Sequence, residues 1–233
     1  GPFCKPNYNS FIATFSSMLI EKQNPLIDKD KEVPLIYVGD FIDEIIKILN
    51  GDNEINLKKS LIYNYNVSDI LTKLKKFNDI YCKYGQIPSI DSHFDLCLFN
   101  TFRSYININS FFPRYHEEHN DERGSFSELS RVFSQGQTSF SITKKDVIRG
   151  NHFHTRKIER FSVIKGKAKI QLREILSDNK CEFIIDGGKP SYVDIPVWHT
   201  HNIQNIGDED LITVFWINEH YNEDTSDTYL ENV

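Results

Sequence analysis

No segment of this chain concentrates positive charge: 27 Lys plus Arg stand against 33 Asp plus Glu, for a formal net charge of -6. That balance argues against a nucleic-acid partner or a polybasic membrane surface, since both need clustered cations to displace counterions. Nor is there an apolar run near the roughly 18 residues that span a bilayer, and the start, GPFCKPNYNSFIATF, lacks the basic-then-apolar order of a secretion leader. A cytoplasmic protein with no membrane partner is expected. Cysteine is scarce and scattered, at Cys4, Cys82, Cys97 and Cys181. Without a CxxC pair or short-spaced framework, neither a disulfide scaffold nor a zinc ribbon is indicated, and reduced, mostly buried thiols are expected. A further absence concerns cofactor chemistry. There is no GxGxxG or GxxGxxG, and no Tyr is followed four positions later by Lys. The glycines that admit a pyrophosphate and the pair that protonates a carbonyl are both missing, so the chain is not expected to bind NADPH by itself.

What is present suffices for packed structure: 39% of the 233 residues are hydrophobic, a length that allows one or two domains. Two are expected, with a linker near 104–120. The first hundred residues read as helices. Phe11, Ile12, Phe15, Met18 and Leu19 repeat at helical spacing until Asn24-Pro25. A second helix starts from an Asp40 cap, turns one face of Phe41, Ile42, Ile45, Ile46 and Leu49, and stops at Asn50-Gly51. A third runs from a Ser68 cap through Ile70, Leu71, Leu74, Phe77 and Tyr81 to Gly85, with Lys73, Lys75 and Lys76 on a solvated face. A weaker fourth covers 93–104. After Pro113 the period drops to two. Phe126–Val132, Gln137–Thr143, Phe161–Ile164, Ala168–Ile175, Glu182–Ile185 and Leu211–Ile217 read as short strands between Gly, Asp, Asn or Pro turns, the pattern of an all-β barrel or sandwich.

The chemistry is concentrated in Gly150-Asn151-His152-Phe153-His154-Thr155-Arg156-Lys157-Ile158-Glu159, followed by Gly166. His152 and His154 are two apart, so on an extended strand their imidazoles leave one face. Glu159 lies past a short connection, where a returning strand can bring its carboxylate back. Gly166 suits the tight turn of the next hairpin. Pro196-Val197-Trp198-His199-Thr200-His201-Asn202-Ile203-Gln204-Asn205 can supply a third imidazole from an opposing strand. Three neutral nitrogens and a carboxylate suit a borderline divalent metal such as zinc, iron, manganese or nickel. His93, His116, His119 and His220 are read as ordinary core or surface histidines.

These two stretches resemble the cupin superfamily, whose first motif is HxH, three or four residues, Glu, six residues, Gly, and whose second, PxG, two residues, His, three residues, Asn, is met by Pro196, His201 and Asn205. The metal ligands implied are His152, His154, Glu159 and His201, with His199 left as an acid, a base or a substrate contact. Trp198 departs from the Gly that the second motif prefers. Arg123-Gly124-Ser125-Phe126 and Arg149-Gly150-Asn151-His152 further resemble the nucleotide-sugar 3,5-epimerases among cupins. That likeness implies Arg123 and Arg149 as contacts of a sugar nucleotide's diphosphate, where guanidinium forks suit phosphate oxygens. It also aligns the epimerase base with His152, in conflict with a role as metal ligand.

Read with Lys5-Pro6-Asn7-Tyr8-Asn9-Ser10, Leu35-Ile36-Tyr37-Val38-Gly39-Asp40-Phe41, Trp216-Ile217-Asn218-Glu219 and Asp227-Thr228-Tyr229, the chain resembles the bifunctional capsular-polysaccharide enzymes of the CapF type. These join an extended short-chain dehydrogenase/reductase (SDR) domain to a C-terminal cupin. The resemblance implies a mixed architecture: residues 1–105 as the mostly helical C-terminal part of a truncated α/β reductase domain without its NAD(P) motif, and 113–233 as a jelly-roll cupin barrel. It implies C3 epimerisation of a UDP-linked 2-acetamido-2,6-dideoxy-4-hexulose, toward UDP-N-acetyl-6-deoxy-L-talosamine for capsule or O-antigen. NADPH-dependent C4 reduction would belong to the missing half. A UDP-sugar substrate follows from the same likeness, a homodimer through the cupin is expected because such barrels often pair by strand exchange, and zinc or nickel, zinc first, is the metal expected by default. The acid and base stay open among His199, Tyr192, Lys165 and Lys167. Two other readings also stay open: a metal-dependent cupin oxygenase or decarboxylase, and a non-catalytic sugar-binding and dimerisation module.

Overall fold

The computed structural model describes residues 1–51, 61–122, 124–133 and 135–233. They fall into two compact units, residues 1–84 with 90–106, and residues 85–89 with 107–233. Among the described residues no helix is long and apolar enough to cross a membrane. Of the four free cysteines only Cys97 is buried, the others being half-buried.

The first unit is helical. Helix α1 (Phe11–Ile20) starts where the Ser10 side chain accepts the Ala13 N–H. A two-stranded antiparallel ribbon of β1 (Glu32–Leu35) and β2 (Tyr63–Asn66) brackets α2 (Val38–Leu49). Helix α3 (Val67–Phe77) runs on into a π-helical turn at Asn78–Lys83, and α4 (His93–Arg103) begins at a Ser92 cap that accepts the Asp95 N–H. The α3 face expected from spacing forms the core, with Ile70, Leu71, Leu74, Phe77 and Tyr81 all buried. Phe77 and Tyr81 meet Phe99 of α4 edge-to-face, at 5.1 and 5.3 Å between ring centroids. Three local expectations are corrected. Asp40 lies in the first turn of α2 and Tyr37 holds the cap position. Asn66, not Ser68, precedes α3, and Ser68 instead bonds the Asp30 carboxylate through its N–H and hydroxyl. Lys73 leaves the solvated face to pair with Asp95 at 2.9 Å. The apolar face of α2 stays uncovered: none of its residues is buried, and Leu49 is 78% exposed.

The second unit is β-rich. After α5 (Ile108–Phe111) come β3 (Arg114–Tyr115), β4 (Glu118–Asp121), β5 (Gly124–Ser127), β6 (Gln137–Thr143), β7 (Ile148–Phe153), β8 (Glu159–Lys165), β9 (Lys167–Glu174), β10 (Lys180–Asp186), β11 (Ser191–Ile195), β12 (His199–Asn205), β13 (Leu211–Ile217) and β14 (Tyr229–Leu230). Ten of them make two five-stranded antiparallel sheets, in the orders β10-β9-β12-β7-β14 and β3-β11-β8-β13-β6. Their inward residues, among them Val163, Ile170, Leu172, Phe183, Val193, Ile195 and Ile203, form the core of a cupin-like double sheet. The stretch read as linker thus carries α5, β3 and β4. The strand expected over 126–132 ends at Ser127, while Val132 makes a parallel bridge to Ile87. That bridge fixes 85–89 to the β unit.

Strand β8 is buried on both faces. Glu159 and Phe161 point into the space between the sheets, whereas Arg160 leaves the other face. There its Nε and Nη2 donate to Asp194 Oδ1 and Oδ2 at 2.7 and 2.9 Å, and Nη2 also reaches the Gly85 carbonyl at 2.7 Å. A buried ion pair with this bidentate geometry costs most when one partner alone is removed. Asp194→Ala is therefore expected to destabilise the protein by about 3 to 5 kcal/mol in urea unfolding, and the double variant Arg160→Met, Asp194→Leu by much less.

Candidate metal centre and its cavity

Strands β7 and β12 are neighbours, and their register sets His152 opposite His201. Close approach of these strands depends on Gly150 (φ 104°), where a Cβ would stand 2.7 Å from the His201 carbonyl oxygen. His154 follows the end of β7, and Glu159 opens β8 in the facing sheet. One sheet therefore delivers three imidazoles and the other delivers the carboxylate. The ligand-capable atoms of His152, His154, Glu159 and His201 all lie within 4.8 Å of one another. Ring centroids are 5.0 Å apart for His152 and His154, 4.6 Å for His152 and His201, and 5.4 Å for His154 and His201.

The hydrogen bonds behind these rings orient them. His154 Nδ1 sits 2.6 Å from the Asp227 carbonyl and His201 Nδ1 3.2 Å from the His199 carbonyl. A carbonyl only accepts, so each Nδ1 carries a proton, and in the neutral form that a metal ligand requires each ring turns a bare Nε2 inward. Both Nε2 atoms face the same oxygen, Glu159 Oε2, at 2.9 Å for His154 and 3.2 Å for His201. Among the described residues, buried His201 Nε2 has no hydrogen-bond partner. Lone pairs from two rings and a carboxylate converging in a buried space repel one another unless protons or a cation stand between them. The residues therefore fit a divalent ion, and the donor set is one that zinc accepts. Burial pushes the Glu159 carboxyl upward, but hydrogen bonds and positive charge from His154 and His201 in their protonated form more than offset that and hold it well below the usual carboxylate range, the place that a cation would take between neutral rings. Burial, and then the neighbouring His201 and His154, lower the pKa of His152 to about 4, so this ring is neutral at physiological pH.

Beside the cluster opens a cavity of about 400 Å³ lined by Ser141, Arg149, Gly150, His152, Glu159, Phe161, Ile203, Thr213 and Phe215. Of the residues expected at a substrate site, Arg149 is on this wall. Arg123 lies outside the described residues. Tyr192 is not on the cavity wall: it pairs with Ser162 across β11 and β8, on the face opposite Glu159, and its ring lies 4.0 Å from the Arg160 guanidinium. His199 starts β12, places Nδ1 3.0 Å from the Val197 carbonyl and does not line the cavity either. Lys165 and Lys167 flank the Gly166 turn, Lys165 being paired with Glu209 at 3.1 Å. Trp198 adopts the left-handed backbone (φ 60°) that glycine would supply. It is held there by its N–H, which donates to the His154 carbonyl at 2.7 Å, and by stacking on Phe153. Asn205 clamps the turn after β12, donating to the Thr143 and Glu209 carbonyls at 2.9 and 2.8 Å.

Sequence reasoning missed the part played by Asp227. Its carboxylate accepts the N–H groups of Thr155, Arg156 and Lys157 and the Thr155 hydroxyl, while its carbonyl accepts from His154. The only local signal was an Asp near the chain's end; the contact spans some seventy residues.

Comparison with known proteins adds four findings. The polysaccharide biosynthesis C-terminal domain family matches residues 119–229. UDP-2-acetamido-2,6-beta-L-arabino-hexul-4-ose reductase of Pseudomonas aeruginosa is 32% identical, across 98% of this chain and 62% of that protein. The crystal structure of the capsular polysaccharide assembling protein CapF from Staphylococcus aureus is 33% identical over all of this chain and 65% of its own, with a TM-score of 0.51. The structure of CapF with the inhibitor 3-isopropenyl-tropolone is 34% identical over all of this chain and 69% of its own, with a TM-score of 0.50. The chain thus spans less than two thirds of the Pseudomonas protein and of the first of these structures.

Removing the Asp227 carboxylate leaves three backbone donors without it. Asp227→Ala is expected to lower stability by on the order of 3 kcal/mol in denaturant unfolding, because several of the lost hydrogen bonds go to a buried charge. Asp227→Asn, which keeps one acceptor oxygen, is expected to lose less.

Proposed function

This chain belongs to the CapF family, and from that premise we propose that its β unit epimerises C3 of a UDP-linked 2-acetamido-2,6-dideoxy-4-hexulose, in the synthesis of a capsular or O-antigen precursor. The observation that carries the reading is the cluster of three imidazoles and a carboxylate beside a cavity whose wall holds His152, Glu159 and Arg149. The Pseudomonas relative is named for reduction of a UDP-linked 4-hexulose. Reduction is not ascribed to this chain, which has neither the NADPH-binding glycines nor the Tyr and Lys of a reductase.

A C4 ketone acidifies the neighbouring C3–H because the carbanion delocalises as an enolate. The cavity's side chains divide the work of handling such a molecule. The exposed guanidinium of Arg149 suits diphosphate oxygens. Phe161 and Phe215 give an apolar wall for the deoxygenated C6, and Ser141 and Thr213, paired in register across β6 and β13, offer hydroxyls to sugar oxygens. Thr213 Oγ1 is buried and, among the described residues, has no protein partner, which leaves it available to substrate. His154, Glu159 and His201 would hold a divalent ion, zinc by preference, which when bound supplies positive charge for the enolate oxygen.

His152 has two readings. As a fourth ligand it closes the site in the manner of structural zinc. As the base it accepts the C3 proton, leaving three ligands and an open position. Its place on the cavity wall, which neither His154 nor His201 shares, favours the second.

The reading is tested by following C3 deuterium incorporation into the UDP-4-keto sugar by NMR in heavy water. His152→Ala is expected to retain bound zinc and lose exchange by about 10²- to 10⁴-fold. Loss of zinc in the same variant would assign His152 as a ligand instead. Arg149→Ala is expected to raise KM about tenfold or more with a smaller change in kcat, as fits a phosphate contact. Exchange unchanged after complete chelation would remove the ion from the reaction, and UDP-sugar binding with no exchange in the metal-loaded protein would leave the β unit as a binding module.

A further inference from the structure

A second convergence of metal-binding side chains lies in the helical unit, where the proposed epimerase chemistry has no use for it. His93 and Cys97 stand four apart on α4, so both project from one face of that helix. Asp40, in the first turn of α2, reaches the same point. His93 Nε2 lies 2.9 and 3.0 Å from the two Asp40 carboxylate oxygens and 3.5 Å from Cys97 Sγ. These ligand-capable atoms all lie within 4.8 Å of one another.

The separations match a tetrahedral ion. Ligands at about 2.0 Å (nitrogen or oxygen) and about 2.3 Å (thiolate) from zinc stand about 3.5 Å apart for the nitrogen and sulfur pair, and about 3.3 Å for nitrogen and oxygen. The observed sulfur distance is already that of a bound site. The observed oxygen distance is shorter by a few tenths of an ångström, as expected of a His–Asp hydrogen bond that opens slightly around a cation. A ring nitrogen has a single proton, which serves one acceptor, so an ordinary His93–Asp40 pair gives no reason for a thiol to join them. The His93 side chain is 45% exposed, which leaves room for water as a fourth ligand.

We propose that Asp40, His93 and Cys97 form a second divalent-cation site of the zinc class, separate from the cluster in the β unit. Its role is to tie α2 to α4. Helix α2 buries none of its residues, so packing holds it weakly and a metal cross-link has more to contribute there than in α3 or α4.

Cobalt distinguishes the two sites, because only this one contains sulfur. Titrating the reduced, metal-stripped full chain with Co(II) should produce a thiolate-to-cobalt charge-transfer band in the near ultraviolet. Cys97→Ser should abolish the band, and His93→Gln, at an exposed position where folding is not at stake, should weaken cobalt binding at this site by tenfold or more. His201→Ala should remove the β-unit equivalent of metal and leave the band in place, which separates failure of this proposal from failure of the epimerase reading. Absence of the band, its persistence in Cys97→Ser, or zinc content per chain unchanged in both Cys97→Ser and His93→Gln would overturn the assignment.

Discussion

A buried carboxylate that faces the inward nitrogens of two imidazoles is the constraint on which the β unit is organised. Glu159 is 7% exposed, and the two Nε2 atoms nearest it belong to rings whose protons are committed to backbone carbonyls on the far side. Left alone, that arrangement gathers lone pairs with no hydrogen between them, at a place where water cannot relieve the repulsion. A proton shared among the three groups relieves part of it, and a divalent cation relieves all of it at once. The surrounding fold keeps these donors together, through the bulged pairing of β7 and β12, the 155–157 turn clamped by Asp227, and the Asp227 carbonyl that fixes one tautomer.

The other face of β8 shows how such a site is kept rigid. A strand with an ionised ligand on one side must be anchored on the other, or it shifts to solvate the charge. Arg160 and Asp194 supply that anchor, reaching the 85–89 segment through the Gly85 carbonyl. The same alternation decides which residues take part in chemistry. Tyr192 pairs with Ser162 and so shares the anchoring face, whereas Phe161 and Glu159 share the cavity. A tyrosine attractive as an acid by residue type is thereby placed in packing by parity alone.

How much of this was legible in the sequence depended on the range over which each feature is encoded. The HxH pair, Glu159 and the Gly166 turn sit within fifteen residues and follow strand periodicity, so their convergence could be read from spacing. The α3 core face was readable for the same reason, being local and periodic. His201 needed a resemblance, because only the motif's Asn205 separated it from His199; the structure shows Asn205 clamping the turn that ends β12. What was not legible is non-local. No pattern near Asp227 announces that it caps a turn seventy residues upstream, and nothing in Gly85 or Ile87 says that this short segment pairs with the β unit rather than with the helices before it. Trp198 marks a different limit. A bulky residue where a motif prefers glycine reads as a defect, yet stacking on Phe153 and a hydrogen bond to His154 hold it in the left-handed conformation.

The number of ligands, rather than their identity, links this geometry to its chemistry. With four protein donors a tetrahedral ion is saturated and contributes to folding, since a substrate oxygen has no position to occupy. With three, the ion is open and the displaced donor is free to move a proton. His152 is the donor whose role can change, because His154 and Glu159 are locked by the Asp227 carbonyl and by each other, and His201 is wholly buried. His152 alone among these three imidazoles borders the cavity, and burial, then its neighbours, hold it neutral. A neutral imidazole beside the substrate space is placed to take a proton next to a ketone, and a cation held by His154, Glu159 and His201 would offset the charge left on oxygen. The conflict between ligand and base for His152 is thus a choice between a stabilising site and a catalytic one made by a single side chain.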